Sequence, residues 1–331
     1  MEHKQSNTLL RVRDLTIEYV TDSGTVHAVN GINFDINRGE TLGLVGETGA
    51  GKTTTALGLM QLIPDPPGRI VGGSIEFDGR DLLKLSKSEK RSFRGREASM
   101  IFQDPMTALN PVLTVGEQIA EVVRIHKKLS RKDALKTAAE MLETVGIPAE
   151  RLGDYPHQFS GGMKQRVVIA IALACNPHLI IADEPTTALD VTIQAQVLHL
   201  MKELQQKYNT AMLMITHDLG VVAQVCDKVA VIYAGRIVES GSIQEIYENT
   251  KHPYTKGLFA SLPSLSSKVK RLQPIHGLMP DPTDLPPGCP FAPRCANCTA
   301  ACEQRMPDSV EVAPGHQVCC VLYQNESGDM G

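Results

Sequence analysis

The sequence predicts an α/β domain with a mainly parallel core sheet and a small irregular appendage, and three observations carry that reading. A short apolar run, TLGLVG, stops at a glycine-rich turn and gives way to the helical pattern KTTTALGLMQLI. Two runs of buried type, HLIIADE and AMLMITHD, are separated by a helix-periodic segment from Thr192 to Tyr208, and strands alternating with helices argue for a parallel sheet. From Leu262 the texture turns to Pro, Ser and Gly, and Cys289, Cys295, Cys298, Cys302, Cys319 and Cys320 all lie beyond that point.

The elements follow in order. LLRVRDLTIEYV and HAVNGINFDI read as strands ahead of the glycine turn, and GGSIEFDG and ASMIFQD add two more; an antiparallel β subdomain is expected beside the parallel core. Val115 to His126 and Lys132 to Val145 carry apolar residues at helical spacing, so a helical insert is expected over about 107–178. A long helix starts near Gly162, KVAVIYAGRIVESG reads as a hairpin, and helices follow from Ser242 and Tyr254. The expected division is 1–260 for the main domain and 261–331 for the appendage, with no internal repeat.

Composition narrows the function. The 33 Lys and Arg against 37 Asp and Glu leave no basic surplus, so nucleic acid is not expected as a partner. The opening MEHKQSNTLLRVRD lacks the apolar core of a secretory signal. The longest apolar run, VVIAIALAC from Val167 to Cys175, falls short of the roughly 20 residues a membrane-spanning helix needs. A cytosolic chain is expected, with any membrane role exercised through a partner. In a reducing compartment clustered cysteines read as metal ligands before disulfides. Cys175 and Cys226, by contrast, fall in apolar helical patterns and read as small core residues.

Three motifs carry chemistry. GETGAGKT, Gly46 to Thr53, fits G-x-x-x-x-G-K-[ST] and sits between a strand and a helix start, where backbone N–H groups and the helix dipole receive phosphate. Candidate nucleotide contacts are therefore Gly46, Glu47, Thr48, Gly49, Ala50, Gly51, Lys52, Thr53 and Thr54, with Lys52 on the β- and γ-phosphates and Thr53 on Mg²⁺. LIIADEPT ends an apolar strand with Asp183 and Glu184, a pairing that calls for charge compensation at the strand tip. Asp183 suits Mg²⁺ and Glu184 suits polarisation of the attacking water. FSGGMKQR, Phe159 to Arg166, is a second glycine-rich helix start, with Ser160 as N-cap. Because one phosphate loop already exists, Ser160, Gly161 and Gly162 are expected to face a nucleotide held by another chain.

In these motifs, together with Gln103 in IFQDP, ALD at Ala188 to Asp190 and His217 in ITHD, the chain resembles the ATPase subunits of ATP-binding cassette transporters over about residues 9–255. The resemblance implies a P-loop ATPase fold of that type, with ATP and Mg²⁺ as ligands. It implies that Tyr19 stacks on adenine, that Gln103 senses Mg²⁺ and the attacking water, that His217 holds the γ-phosphate, and that Asp190 works across a dimer interface. Met163 stands where the family signature usually has Gln. FSGGMKQR, FQDPMTALNP and the cysteine-bearing tail nevertheless resemble the peptide and nickel importer branch. That branch implies an ATPase on the cytoplasmic face of the membrane, paired with a second homologous ATPase, two transmembrane permease subunits and an extracytoplasmic substrate-binding protein. Import of di- or oligopeptides is the expected role; nickel or glutathione import and a non-transport cassette ATPase are the alternatives.

The tail spacing C-x5-C-x2-C-x3-C, then Cys319 and Cys320, by itself selects Cys289, Cys295, Cys298 and Cys302. The importer pattern GCPFxPRC…C…GHxVxC instead implies Cys289, Cys295, Cys302 and Cys320 as ligands, holding a four-iron four-sulfur cluster or, alternatively, Zn²⁺. About 70 residues rich in Pro and Ser bury little apolar surface unaided, so the metal is expected to fold the tail as an independent knob.

Overall fold

The structure, a computed structural model, describes residues 7–187, 189–261 and 275–324. It divides into two compact units, one comprising the segment up to Leu10, Asp35–Thr41 and Glu76–Ile215, the other Arg11–Phe34, Leu42–Ile75 and the chain from Thr216 onward. The expected boundary at 260/261 adjoins residues 262–274, which lie outside the described residues.

In the first unit, the strands Ala98–Ile101, Leu179–Asp183 and Ala211–Thr216 pair in parallel, with Ala98 opposite Leu179 and Leu179 opposite Ala211. The last two are apolar on both faces and fully buried up to Asp183 and Thr216, the pattern of central parallel strands. Their crossover is the helix Val191–Tyr208, capped by Asp190, whose carboxylate accepts from Ile193 N–H at 3.0 Å. Between the first two strands lie the helices Val115–Lys127, Arg131–Thr144 and Gly161–Leu173. The first two begin at Thr114 and Ser130, which accept from Glu117 and Asp133 N–H. Val115, Ile119, Val123, Ala134, Ala138 and Leu142, four apart within each helix, are buried. This is the helical insert the sequence predicts. The sequence reading passes over the helix Lys87–Arg96, which has a capping box between Ser86 and Glu89 but buries only Phe93.

In the second unit, the strands Thr41–Val45 and Lys228–Tyr233 pair in parallel, Leu42 opposite Lys228. Lys228–Tyr233 then pairs antiparallel with Arg236–Ser242 as the predicted hairpin. Arg236–Ser242 pairs in turn with His316–Val318, and His316–Val318 with Val310–Ala313. The tail therefore continues a sheet of the main domain, which corrects the expectation of an independent knob. What secures it is His316, fully buried, whose Nε2 lies 2.9 Å from Glu239 Oε1. The same Glu239 accepts from the N–H groups of Lys251 and His252 at 2.7 and 3.0 Å. Stripping a buried carboxylate of one of its three partners is strongly destabilising.

Apart from this sheet, Gly24–Asn37, Thr8–Thr21 and Gly68–Phe77 lie side by side in that order. The two-residue link at Asp22 and Ser23 permits only an antiparallel hairpin between the first two. Cys175 and Cys226 are 9% and 7% exposed, core residues as predicted.

Candidate active site

The phosphate loop lies in the second unit, and its shape depends on glycine. A Cβ on Gly46 would sit 2.2 Å from the carbonyl oxygen of Ile232. Gly51 has φ of +101°, and a Cβ there would meet the Ala28 carbonyl oxygen at 2.4 Å. No larger residue satisfies both demands. The loop leads into the helix Lys52–Leu59, so its N–H groups and the helix dipole converge on whatever anion it holds. Lys52, 6% exposed, folds back into the loop and donates from Nζ to the carbonyls of Gly46 and Glu47 at 2.7 and 3.0 Å. Thr48, Gly49 and Thr53 are exposed, Thr54 is half-buried and Ala50 is buried. These residues fit a polyphosphate.

The carboxylate pair lies in the first unit, at the end of Leu179–Asp183. Asp183 is 2% exposed beside Ile181 and Ala182, a position that favours a cation as neighbour. Glu184 follows with φ of +47°, a left-handed backbone that non-glycine residues adopt at a cost and that clusters at functional sites. Its N–H donates to Ile215 C=O at 2.9 Å, which fixes that turn. Its Oε2 accepts from Gln103 Nε2 at 3.1 Å and from Thr187 Oγ1 at 2.9 Å. The structure thus brings Gln103 and Glu184 together and adds Thr187, which the sequence reading leaves out. Asp183, directly before Glu184 at the strand end, and Gln103, bonded to Glu184, carry the oxygen donors that suit Mg²⁺.

The second glycine-rich helix start is also in the first unit. Ser160 accepts from Met163 N–H at 3.4 Å, and Ser160, Gly161 and Asp190 are exposed while Gly162 is buried. Ala188 lies outside the described residues. In the second unit, His217 is exposed just past Ala211–Thr216, beside Asp218, whose N–H donates to Thr216 Oγ1 at 3.0 Å. Tyr19 is half-buried on Thr8–Thr21, its ring so close to Gly68 that a Cβ there would meet it at 2.7 Å.

In the tail, Cys289, Cys295, Cys302 and Cys320 line one small pocket with His252, Phe291, Pro307 and Leu322 among its walls. Cys298 is not among its lining, and Cys319 lines a different cavity with Arg236 and Ser309. Burial, with the charges of Cys302 and Cys320, pushes the Cys289 thiol up to about 11. Burial and neighbouring sulfur charge likewise raise Cys295 and Cys320. Burial pushes His252 down to about 3, and its neutral Nδ1 accepts from Tyr254 N–H at 3.1 Å. The pocket brings together the ligand set implied by the importer pattern and omits Cys298, which spacing alone would include. Among the described residues, however, no three His, Cys, Asp or Glu side chains are arranged to hold a single metal ion. A single Zn²⁺ would need all its sulfurs about 2.3 Å away, whereas a multi-iron cluster spreads its thiolates wider.

Two contacts about the phosphate loop escape the sequence reading. Tyr254 Oη accepts from Glu47 N–H at 2.9 Å, and Arg294 pairs with the Glu47 carboxylate across 247 positions of sequence. No local pattern signals a contact of that range.

A family model described as "ABC transporter" matches residues 29–187, and one described as "Oligopeptide/dipeptide transporter, C-terminal region" matches residues 238–302, a span that takes in three of the four pocket cysteines. The chain is 52% identical to the "Dipeptide transport ATP-binding protein DppD" of Bacillus subtilis, over 96% of each chain. It is 49% identical to the "Oligopeptide transport ATP-binding protein OppD" of Salmonella typhimurium, over 95% of this chain and 94% of that one. Among solved structures, the ATP-binding cassette MJ0796 in a dimeric post-hydrolysis state bound to ADP and Pi superimposes with a TM-score of 0.64 at 26% identity, covering 71% of this chain and 99% of that one. Among the described residues no helix is long and apolar enough to cross a membrane. With a glycine-shaped phosphate loop, a carboxylate pair at a buried strand tip and likeness along nearly its whole length to transport ATP-binding proteins, this chain belongs to the ATP-hydrolysing subunits of the ABC transporter family.

Proposed function

We propose that this chain hydrolyses ATP to energise import of di- and oligopeptides, from the cytoplasmic face of the membrane. The observation that carries the substrate class is end-to-end likeness to dipeptide and oligopeptide transport ATP-binding proteins, tail included. The assembly is a pair of homologous ATPases bound to two transmembrane permease subunits, with an extracytoplasmic binding protein delivering the peptide.

The phosphate loop, Gly46 to Thr53, receives the triphosphate through backbone N–H groups, with Lys52 turning its ammonium toward the β- and γ-phosphates and Tyr19 stacking on adenine. Thr53, Gln103 and Asp183 would hold Mg²⁺, which when bound neutralises charge on the phosphate oxygens. Glu184 polarises the attacking water and takes up its proton, held in place by Gln103 and Thr187, while His217 steadies the γ-phosphate. Ser160, Gly161, Gly162 and Asp190 serve the nucleotide of the partner ATPase, so nucleotide binding and dimer closure are one event. Cys289, Cys295, Cys302 and Cys320 would hold a four-iron four-sulfur cluster. Support for that ligand set is their convergence on one pocket.

Substrate choice is tested with the whole transporter in lipid vesicles: ATP hydrolysis should rise when binding protein loaded with di- or oligopeptide is added. Stimulation by nickel or glutathione and not by peptides would overturn the peptide assignment.

A further prediction concerns the second helix start. Ser160→Arg is expected to leave nucleotide affinity of the isolated chain nearly unchanged while lowering hydrolysis by the assembled transporter by ~10²-fold, about the effect of removing one preorganised donor from a developing charge. Titration with a fluorescent ATP analogue decides this; a large loss of affinity in the isolated chain means that Ser160 acts on its own nucleotide.

A further inference from the structure

Glu47 is the one acidic residue in the phosphate loop, and what faces its side chain comes from the cysteine-bearing tail. Arg294 makes a two-pronged pair with it, Nη1 donating to Oε2 at 2.8 Å and Nη2 to Oε1 at 3.2 Å. The guanidinium is itself fixed: Nη1 also donates to Tyr233 Oη at 3.2 Å, Nε to the His276 carbonyl at 3.0 Å and Nη2 to the Ile275 carbonyl at 3.3 Å. Its side chain is 6% exposed, and that of Glu47 28%. The rings of Tyr233, Tyr254 and Phe291 pack against one another with centroids 4.6 to 5.4 Å apart, and Tyr254 Oη accepts from Glu47 N–H. The Glu47 carbonyl accepts from Lys52 Nζ and, at 3.2 Å, from Ala50 N–H. Every polar group of Glu47 is thus spent on holding the loop, and its carboxylate is tied to the residue directly before Cys295.

We propose that Arg294 is a positioning residue for nucleotide binding, tying the tail to the phosphate loop through Glu47 so that docking of the tail sets the affinity for the triphosphate. Two physical effects act together. A carboxylate in a loop built to receive polyphosphate repels its ligand, and the guanidinium cancels that charge. A planar two-bond fork also fixes direction as well as distance, so the Glu47 backbone, whose N–H and C=O belong to the loop, is held in one conformation. Loss of Arg294 leaves the carboxylate in the loop without its partner, its charge uncancelled beside the incoming phosphates. Arg294 is bonded on both sides, to the 275–276 segment and to the loop, so movement of the cysteine pocket beside it reaches the phosphate loop through one side chain. The proposal rests on reading Gly46 to Thr53 as the phosphate loop.

The test is titration of the purified full-length chain, prepared anaerobically, with a fluorescent ATP analogue and Mg²⁺. Lys52→Ala is the control for the loop: an unmoved Kd overturns the phosphate-loop reading and the proposal with it. With that control lost as expected, Arg294→Gln should raise Kd about tenfold, the size of one charge-assisted hydrogen bond. Adding Glu47→Gln to Arg294→Gln, which keeps the loop backbone and removes the stranded charge, should recover at least half of that loss on a logarithmic scale. A rise of less than about threefold for Arg294→Gln, or a smaller recovery in the double variant, overturns the proposal while leaving the loop reading standing. A purely structural Arg294 would lower the melting temperature of single and double variants alike without restoring affinity. Should Arg294→Gln fail to fold, Arg294→Lys decides: it keeps the cation but not the planar two-pronged fork, so Kd should rise about threefold or more, and an unmoved Kd overturns the coupling.

Discussion

Glu184→Gln is expected to leave MgATP binding intact and to slow hydrolysis by ~10² to 10⁴, the usual cost of losing a positioned base. The carboxylate is set rather than loosely placed. Its residue holds a left-handed backbone at φ +47°, the N–H is anchored on Ile215, and Oε2 receives both Gln103 Nε2 and Thr187 Oγ1. Glutamine keeps the shape and can still accept from one of those donors, so the fold of the strand tip survives while the group that takes the proton from water does not. Nucleotide should consequently accumulate in the closed dimer. The measurement is steady-state ATP hydrolysis by a purified transporter carrying the substitution in this chain and at the matching position of its partner. A rate near that of the parent would show that Glu184 is not the base.

What could be read from sequence was whatever is local. The phosphate loop, the strand-end carboxylates and the serine-capped helix starts depend on a few neighbouring residues with fixed backbone demands, and each appears where its pattern places it. The misses have a common cause. Lys87–Arg96 is a helix with one buried apolar residue, so hydrophobic periodicity is silent and only the Ser86 and Glu89 cap announces it. The tail strands Val310–Ala313 and His316–Val318 sit in a texture of Pro and Gly, and they are strands because Arg236–Ser242 offers them an edge. His316 and Glu239, 77 positions apart, make the contact that turns an expected knob into an extension of the sheet. The pairing of Arg294 with Glu47 is the extreme case: each lies in a motif read from sequence, and neither motif signals the other.

The largest effect in the tail is expected from its thiols. If the proposed four-iron four-sulfur cluster is bound, single Ser replacements at Cys289, Cys295, Cys302 or Cys320 should abolish its visible absorption and its complement of about four irons and four sulfides per chain, whereas Cys298→Ser and Cys319→Ser should keep both. The division follows from position: the first four line one pocket, and Cys319, just past the strand His316–Val318, lines another, its N–H donating to Val238 C=O at 2.8 Å. Burial and neighbouring sulfur charge raise the thiols of Cys289, Cys295 and Cys320, and thiolate ligation reverses that balance. Since His316 and its sheet pairing tie the tail down independently of the pocket, loss of the cluster should loosen the segment around Cys289 to Cys302 without unfolding the ATPase. Hydrogen exchange there should rise while the strands Lys228–Tyr233 and Arg236–Ser242 stay protected. Anaerobic purification with iron, sulfide and zinc analysis decides the group: one zinc per chain and no sulfide refutes the cluster, and loss of the signal in Cys298→Ser with its survival in Cys320→Ser refutes the ligand set.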